Sequence, residues 1–496
     1  MEGEKDVDHS IQTLEQLAID QPDVAAVHNN LGVAYKNSGR IDEAIASLHR
    51  AIELAPTSAQ VWNNLGNAFR VGGALDDAVA AYQQSLALSP RHVPSLSNLA
   101  TALHESGRLY DAIDRLREAI EIDPTHVGVH SNLLYHLHFD PRMDAHDIRR
   151  EHQIWNERHA KNLRRAAPFA NERSPDRMLR IAYVSSHFRN HVIGRFIAPL
   201  IRNHDVSRFD VRCYSPADEI PEIDIAVDLD MHLAGGQPLI FARGLAPVQV
   251  TYLGYVAGDG VDGIDYRFSD PYLDSIGWEP NYIEKTVRLP CTYWCYEPPA
   301  DVEGALVKHD TVTFGCLNNF AKTMPAALPV WGEILRRVPA SRLIISSPSR
   351  STDQLAIDQL RVDPARLTFV RFQKIEDYLK VYNKIDVALD PFPYAGGTTT
   401  CDAVYMGVPV VTLAGKTSVG RGGVSILSNL GLQQLIAETP ERYIEIATSV
   451  PRVSDLRGRM VASRLMDAER FARDFESALR QMWRDWCASS ISDSSG

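Results

Sequence analysis

The stretch HNNLGVAYKNSGRIDEAIASLHRAIELAP, residues 28–56, reappears as WNNLGNAFRVGGALDDAVAAYQQSLALSP at residues 62–90. Pro22, Pro56, Pro90 and Pro124 follow one another at 34 residues, and Leu31, Leu65, Leu99 and Leu133 keep that spacing. So do Gly39, Gly73 and Gly107, and Ala44, Ala78 and Ala112. A fixed period of this length marks an array of supersecondary units. Within a unit His28, Leu31, Gly32 and Tyr35, and in the next Trp62, Leu65, Gly66 and Phe69, fall on one face of a first helix, with small residues where helices approach closely. Gly39 ends that helix, Asp42 and Glu43 suit the positive end of a second, and Ala44, Leu48 and Ala51 form its inward stripe. Such units bury little alone, so stacking supplies their core and leaves a concave groove.

The period is that of tetratricopeptide repeats. Asn30, Asn64, Asn98 and Asn132 also keep it, each directly before the repeated leucine. One reading makes them internal, bonded to the backbone of the neighbouring repeat. The other makes them a ladder that holds an extended peptide by its main chain, since a carboxamide both donates and accepts. The fourth unit loses the pattern after Phe139, where Asp140-Pro141 breaks the helix, and Ala145 to Ala160 then predicts a polar helix. Arg164 to Arg177, with Pro168 and Pro175, reads as a domain boundary.

A chain of 496 residues exceeds one ordinary core; at roughly 150 residues per domain, about three units are expected. Its 51 Lys+Arg against 63 Asp+Glu leave a formal charge of -12, which argues against a broad phosphate-backbone-binding surface, so nucleic acid is not an expected partner. Cys213, Cys291, Cys295, Cys316, Cys401 and Cys487 are scattered rather than grouped as a disulfide framework, which fits a reducing compartment. Cys291 and Cys295 lack a second pair at zinc spacing and read as small hydrophobes. The opening MEGEKDVDHS is acidic where a secretory signal would be basic and then apolar, and no run of ~18 apolar residues occurs. The expectation is a cytoplasmic chain without a membrane segment.

From Arg180 the pattern changes. Ile181 to Val184 is a short apolar strand, followed by a polar loop through His191 and an apolar helix from Phe196. Val211 to Tyr214, Ile225 to Asp228 and Val248 to Tyr252 predict further strands of a parallel sheet. A second set follows at Val312 to Cys316, Leu343 to Ile345, Leu367 to Val370, Val387 to Asp390 and Val408 to Thr412. Two β/α sets imply two Rossmann-like lobes with ligands outside the carboxyl ends of the strands. One connection does not fit: Ser215 to Asp224 is short for a parallel crossover, so either a helix is missing there or one strand is misread.

After Val387 to Asp390 comes Pro391-Phe392-Pro393-Tyr394-Ala395-Gly396-Gly397-Thr398-Thr399-Thr400-Cys401-Asp402, then an apolar helix. Glycines allow close backbone approach, threonines add hydroxyls, and a helix N-terminus offers amides to an anion. The bland reading is a helix cap; the functional one is a phosphate turn, though no lysine follows as in a Walker loop.

This run, with Met406-Gly407-Val408-Pro409-Val410-Val411-Thr412, Leu317-Asn318-Asn319-Phe320-Ala321-Lys322, Ala246-Pro247-Val248-Gln249-Val250 and Leu253-Gly254-Tyr255, resembles the protein O-GlcNAc transferase and SPINDLY family, glycosyltransferase family 41. The resemblance implies a metal-independent, inverting transferase of GT-B architecture that moves N-acetylglucosamine from UDP-N-acetylglucosamine to serine and threonine hydroxyls. It implies Lys322 as the cation on the departing diphosphate, Thr398 and Thr399 as diphosphate contacts, Asp402 as the carboxylate on the ribose, and Asn319 as a further nucleotide contact. His191 matches a loop histidine proposed as general base, and His232, in Asp228-Leu229-Asp230-Met231-His232, a second acceptor-lobe histidine. Asp228-Leu229-Asp230 is not read as a metal site. Gly397 stands where several relatives carry histidine, a SPINDLY-like feature that leaves GDP-fucose open as donor. The short 215–224 connection leaves open a weakened enzyme or a repeat scaffold without turnover.

The expected fold is α + α/β, a tetratricopeptide-repeat α-solenoid followed by a GT-B type pair of Rossmann-like lobes. Its divisions are a repeat array at 1–140, a linking helix at 141–178, an acceptor-side lobe at 179–305, a nucleotide-sugar lobe at 306–488 and a serine-rich disordered tail at 489–496. Acceptor proteins are expected in the repeat groove, and the repeats also offer a surface for oligomerisation.

Overall fold

The computed structural model describes residues 2–163, 168–189, 191–302 and 311–492. Helices α1 (Glu2–Asp20), α2 (Ala25–Asn37), α3 (Ile41–Leu54), α4 (Ala59–Val71), α5 (Leu75–Leu88), α6 (Val93–Glu105), α7 (Leu109–Ile122) and α8 (Val127–Leu137) pack each on the next as the repeat array. Gly39, Gly73 and Gly107 have φ of 81°, 78° and 80°, the left-handed turn between the helices of a unit that costs glycine least. A Cβ at Gly66 would lie 2.5 Å from the Tyr82 ring, so the close approach read from small residues is real. Helix α1, whose polar sequence gave no signal, seals the array by burying Ile11 beside Leu31 and Leu48.

Helix α9 (Ala145–His159) docks the array on the first lobe. Trp155 is fully buried, its Nε1–H donates to Ser131 Oγ at 3.1 Å, and Asn156 Oδ1 accepts from the Asp262 amide at 2.8 Å.

The first lobe carries β1 (Leu179–Val184), α10 (Val192–Arg202), β2 (Phe209–Tyr214), β3 (Ile225–Asp228), α11 (Pro238–Ala242), β4 (Val248–Thr251), β5 (Tyr266–Ser269) and β6 (Lys285–Arg288). They form a parallel sheet in the order β2-β1-β3-β4-β5-β6. Both strands flanking Ser215 to Asp224 exist and pair with β1 from opposite sides. Neither a missing helix nor a misread strand was needed: ten extended residues reach about 33 Å, ample to return along a short strand. Strands β5 and β6 escaped the sequence reading. Arg267 interrupts the apolar pattern of β5, although it is fully buried, paired with Asp274 at 2.9 Å, and β6 is a half-polar edge strand.

The second lobe carries β7 (Thr313–Cys316), α12 (Ala327–Arg337), β8 (Arg342–Ser346), α13 (Arg350–Leu360), β9 (Leu367–Val370), α14 (Ile375–Val381), β10 (Val387–Leu389), α15 (Thr398–Tyr405), β11 (Val410–Leu413), α16 (Gly422–Asn429), β12 (Ile436–Ala437), α17 (Pro440–Thr448) and α18 (Leu456–Val461). Its sheet is also parallel, in the order β12-β11-β10-β7-β8-β9. The chain reverses its direction across each sheet between β1 and β3 and between β7 and β10, and such switch points open crevices at strand carboxyl ends.

Two boundaries need correction. Helix α19 (Ala468–Ser492) does not stay with the second lobe: Phe475 packs on Phe268 and Tyr252 of the first, Glu476 meets His204, and Arg480 donates to the Pro175 and Arg177 carbonyls. Its apolar stripe, buried at Phe471, Phe475, Leu479 and Trp483, draws it there. The same helix continues to Ser492, so 489–492 is helical rather than a disordered tail, and 493–496 lie outside the described residues.

Candidate active site

The second lobe's switch point brings two loops together. After β10, Asp390 is buried and accepts from the Gly396 amide at 2.8 Å, from Thr412 Oγ1 at 2.7 Å and from Thr400 Oγ1 at 3.4 Å. Burial pushes its carboxyl up to about 6 against these bonds. This anchored carboxylate shapes the turn that places Thr398 and Thr399, at the start of α15, on the wall of the cleft. A Cβ at Gly397 would lie 2.7 Å from the Trp294 ring of the first lobe. Any side chain there requires the Trp294 indole to shift.

After β7, Asn318 Oδ1 accepts from Thr399 Oγ1 at 2.6 Å. Asn319 caps the short 3₁₀ turn Phe320–Thr323 by accepting from the Ala321 amide. On that turn Lys322 Nζ donates to the Ala395 carbonyl at 3.1 Å and lies 4.2 Å from the centroid of the Tyr394 ring. Burial pulls its ammonium down to about 8, opposed by Asp390 and Cys316. Lys322 thus abuts the turn that opens α15, one layer behind Asn319 and Phe320, which wall the cleft.

That cleft, of about 1220 Å³, lies between the lobes and is also walled by His191, Arg195, Thr398, Thr399, Asp402 and, from the array, Arg70 and Glu105. The array is fixed beside it: Asp76 accepts from Ser349 at 3.2 Å, and Gly107 leaves 3.0 Å between an added Cβ and both Phe320 and Met324.

Asp402 does not offer a vacant carboxylate. It is 1% exposed and accepts from Arg195 Nη2 at 2.7 Å, Tyr296 OH at 2.7 Å and Tyr378 OH at 3.0 Å. A ribose hydroxyl can reach it only if one donor gives way. Arg195, on α10, makes this an ion pair across the lobes, and no motif pointed to it because 207 residues separate the partners. Arg195→Met is expected to cost about 2 kcal/mol, less than the ~3–5 of a fully buried pair, because the arginine side chain is 24% exposed. Urea unfolding checks this.

His191 walls the cleft and caps α10, its Nδ1 accepting from the Ile193 amide at 3.3 Å. In the neutral ring Nε2 then carries the proton, so His191 as placed donates toward ligands rather than acting as a base. Burial and the neighbouring His187 lower its pKa. His232 is not brought to the cleft. It is 1% exposed, its Nδ1 at 3.0 Å from Ser131 Oγ and its Nε2 at 2.8 Å from the Asp259 carbonyl, packed on Trp155. Burial pulls it down to about 4; it ties the array to the first lobe and drops from the catalytic set.

The repeat asparagines are linked along the array. Asn64, Asn98 and Asn132 donate to Asn29 at 2.8 Å, Asn63 at 2.9 Å and Ser97 at 3.1 Å of the preceding unit, and Asn30 accepts from Asn29 at 3.3 Å. The partners are side chains, not the backbone of the internal reading, and capacity remains on each carboxamide.

Comparison with known proteins places this arrangement. The family model described as Glycosyl transferase family 41 matches residues 305–475. Tetratricopeptide repeat models match 5–59, 29–93 and 72–134. A Solanum lycopersicum protein named probable UDP-N-acetylglucosamine–peptide N-acetylglucosaminyltransferase SPINDLY is 32% identical over 390 residues, covering 68% of this chain and 42% of the relative. Its Arabidopsis thaliana counterpart is 31% identical over 398 residues, covering 68% and 43%. The aligned part is therefore about two fifths of the length of these curated relatives. A lysine-to-methionine mutant of Thermobaculum terrenum O-GlcNAc transferase superposes with a TM-score of 0.86 at 30% identity, covering 94% of this chain and 99% of that one. In the described residues no helix is long and apolar enough to cross a membrane. With its repeats, its two parallel lobes and a relative of equal extent at this similarity, the chain belongs to glycosyl transferase family 41.

Proposed function

We propose that the chain is an inverting protein O-GlcNAc transferase, moving N-acetylglucosamine from UDP-N-acetylglucosamine to serine and threonine hydroxyls of proteins held along the repeat groove. The observation that carries this reading is the contact of Lys322 with the turn that opens α15, at the switch point of the second sheet. Attack at the anomeric carbon builds negative charge on the departing diphosphate. Helix-end amides at Thr398 and Thr399 and a nearby ammonium lower that barrier without a metal. Asn30, Asn64, Asn98 and Asn132 keep spare carboxamide groups for an acceptor main chain. A cytoplasmic location is part of this proposal, resting on six cysteines scattered through the sequence rather than grouped as a disulfide framework.

GDP-fucose is a second donor reading, resting on Gly397, a SPINDLY-like residue at this position, with the Trp294 ring 2.7 Å from where its Cβ would lie. Incubating the full chain with a lysate and labelled UDP-N-acetylglucosamine or GDP-fucose tests both. Protein labelling by the first supports the proposal, labelling by the second alone replaces the donor, and labelling by neither leaves a scaffold.

The pH dependence has a defined sign. The ammonium of Lys322 is required charged and loses its proton through about 8. The kcat/KM is expected to hold up to that pH and then fall roughly tenfold per unit. The limb in kcat should lie higher, because a bound diphosphate favours the ammonium. Initial rates from pH 6.5 to 9.5 check this; a flat profile contradicts it.

A further inference from the structure

The switch point of the first sheet holds a second group of titratable side chains, on the loops after β1 and β3. Asp230 is 1% exposed and accepts from the Ser186 amide at 2.6 Å, the Ser186 hydroxyl at 2.8 Å, the Ser185 hydroxyl and His187 Nδ1 at 3.1 Å. Burial raises its carboxyl, but these bonds carry it below the ordinary value, so it is an anion at neutral pH. Ser186 Oγ, whose own proton goes to Asp230, lies 2.9 Å from Nδ1 and accepts from it as well, so carboxylate and hydroxyl together fix the ring proton on Nδ1 and leave the lone pair on Nε2. No bond to that Nε2 is made by the described residues, and the His187 side chain is 24% exposed. Its ring lies 4.4 Å from that of His191, which walls the cleft. The β3 loop reaches this place through Gly235, at φ 90°, where an added Cβ would meet Ser186 Oγ at 2.6 Å. The two histidines are thus poised oppositely: His191 has Nδ1 occupied and donates from Nε2, while His187 has Nδ1–H occupied and accepts at Nε2.

We propose that His187, oriented by Asp230, is the catalytic residue that takes the proton from the acceptor hydroxyl. The assignment rests on the transferase reading above. As the acceptor oxygen bonds to the anomeric carbon, the bond from that carbon to the diphosphate breaks and its electron pair leaves with the diphosphate. The hydroxyl proton passes to His187 Nε2, and the imidazolium is paired with Asp230 until it returns the proton to solvent. Asp230 is a positioning residue, acting through the ring it holds.

The test uses the full chain with whichever labelled nucleotide-sugar it transfers. His187→Gln is expected to lower kcat roughly 10²-fold with donor KM within about threefold, and to abolish the loss of rate on the acid side that a neutral imidazole requires. Asp230→Asn is expected to lower kcat about tenfold and displace that acid limb. Imidazole added to His187→Ala should restore part of the rate, a response that a purely structural histidine does not give. Ring ¹⁵N spectra of the wild-type chain should show His187 protonated at Nδ1. A His187→Gln variant as fast as wild type, an unchanged acid limb, or a His187 ring protonated at Nε2 overturns this assignment alone. A wild-type chain that transfers neither sugar overturns it together with the transferase reading.

Discussion

Lys322→Met is expected to lower turnover roughly 10²- to 10³-fold while leaving nucleotide-sugar affinity within about threefold. On the proposed transferase reading, the charge that this ammonium meets develops only as the anomeric bond breaks, so its loss should appear in kcat far more than in ground-state binding. Methionine suits the comparison because it matches the length of the stem and tolerates contact with the Tyr394 ring, 4.2 Å from Nζ in the wild type. The packing of the turn is then retained, while the charge and the hydrogen bond to the Ala395 carbonyl are removed. The enclosure that pulls Lys322 down to about 8 also strengthens its field on a neighbouring diphosphate, since fewer waters screen it. Turnover at saturating donor, with calorimetric titration of UDP and GDP, separates the terms. A kcat within fivefold of wild type, or a rise in KM alone, would remove Lys322 from the chemistry and leave the α15 turn as a binding element.

The repeat array was readable because each unit repeats its neighbour: glycine at the turn, and alanine and leucine on the inward stripe, the alanines and leucines buried as the period required. The turn that opens α15 was readable because Gly396, Gly397 and three threonines are contiguous. What escaped reading depends on residues far apart in the chain. Arg195 and Asp402 meet across the lobes, and Asp230 and His187 meet across a switch point, while each looks alone like an ordinary polar residue. His232 shows the converse, a histidine in a suggestive motif whose ring is spent on Ser131 and Asp259. Helix α19 crossed the expected boundary because an apolar stripe specifies burial but not the lobe that supplies it.

Phe139→Ala is expected to destabilise the chain by about 3–5 kcal/mol and, in the fraction that stays folded, to lower acceptor-independent hydrolysis of the nucleotide-sugar about tenfold. Phe139 follows the last repeat helix and is 2% exposed. Its ring stacks on Tyr394 at 4.5 Å and 25°, with Tyr135 at 5.2 Å and His104 at 4.3 Å around it. Tyr394 also contacts Lys322, so removing Phe139 opens a cavity against the ring that meets the ammonium. Hydrolysis without acceptor is the informative readout, because a repeat array that only captured proteins would leave it untouched. Phe139→Leu fills most of the volume without the stacking and should cost about 1.5 kcal/mol or less, which keeps the comparison within a folded chain. Urea unfolding followed by donor hydrolysis at low denaturant distinguishes the two effects. Hydrolysis unchanged in both variants would confine the array to acceptor capture; a loss graded from leucine to alanine makes its last turn a wall of the catalytic site.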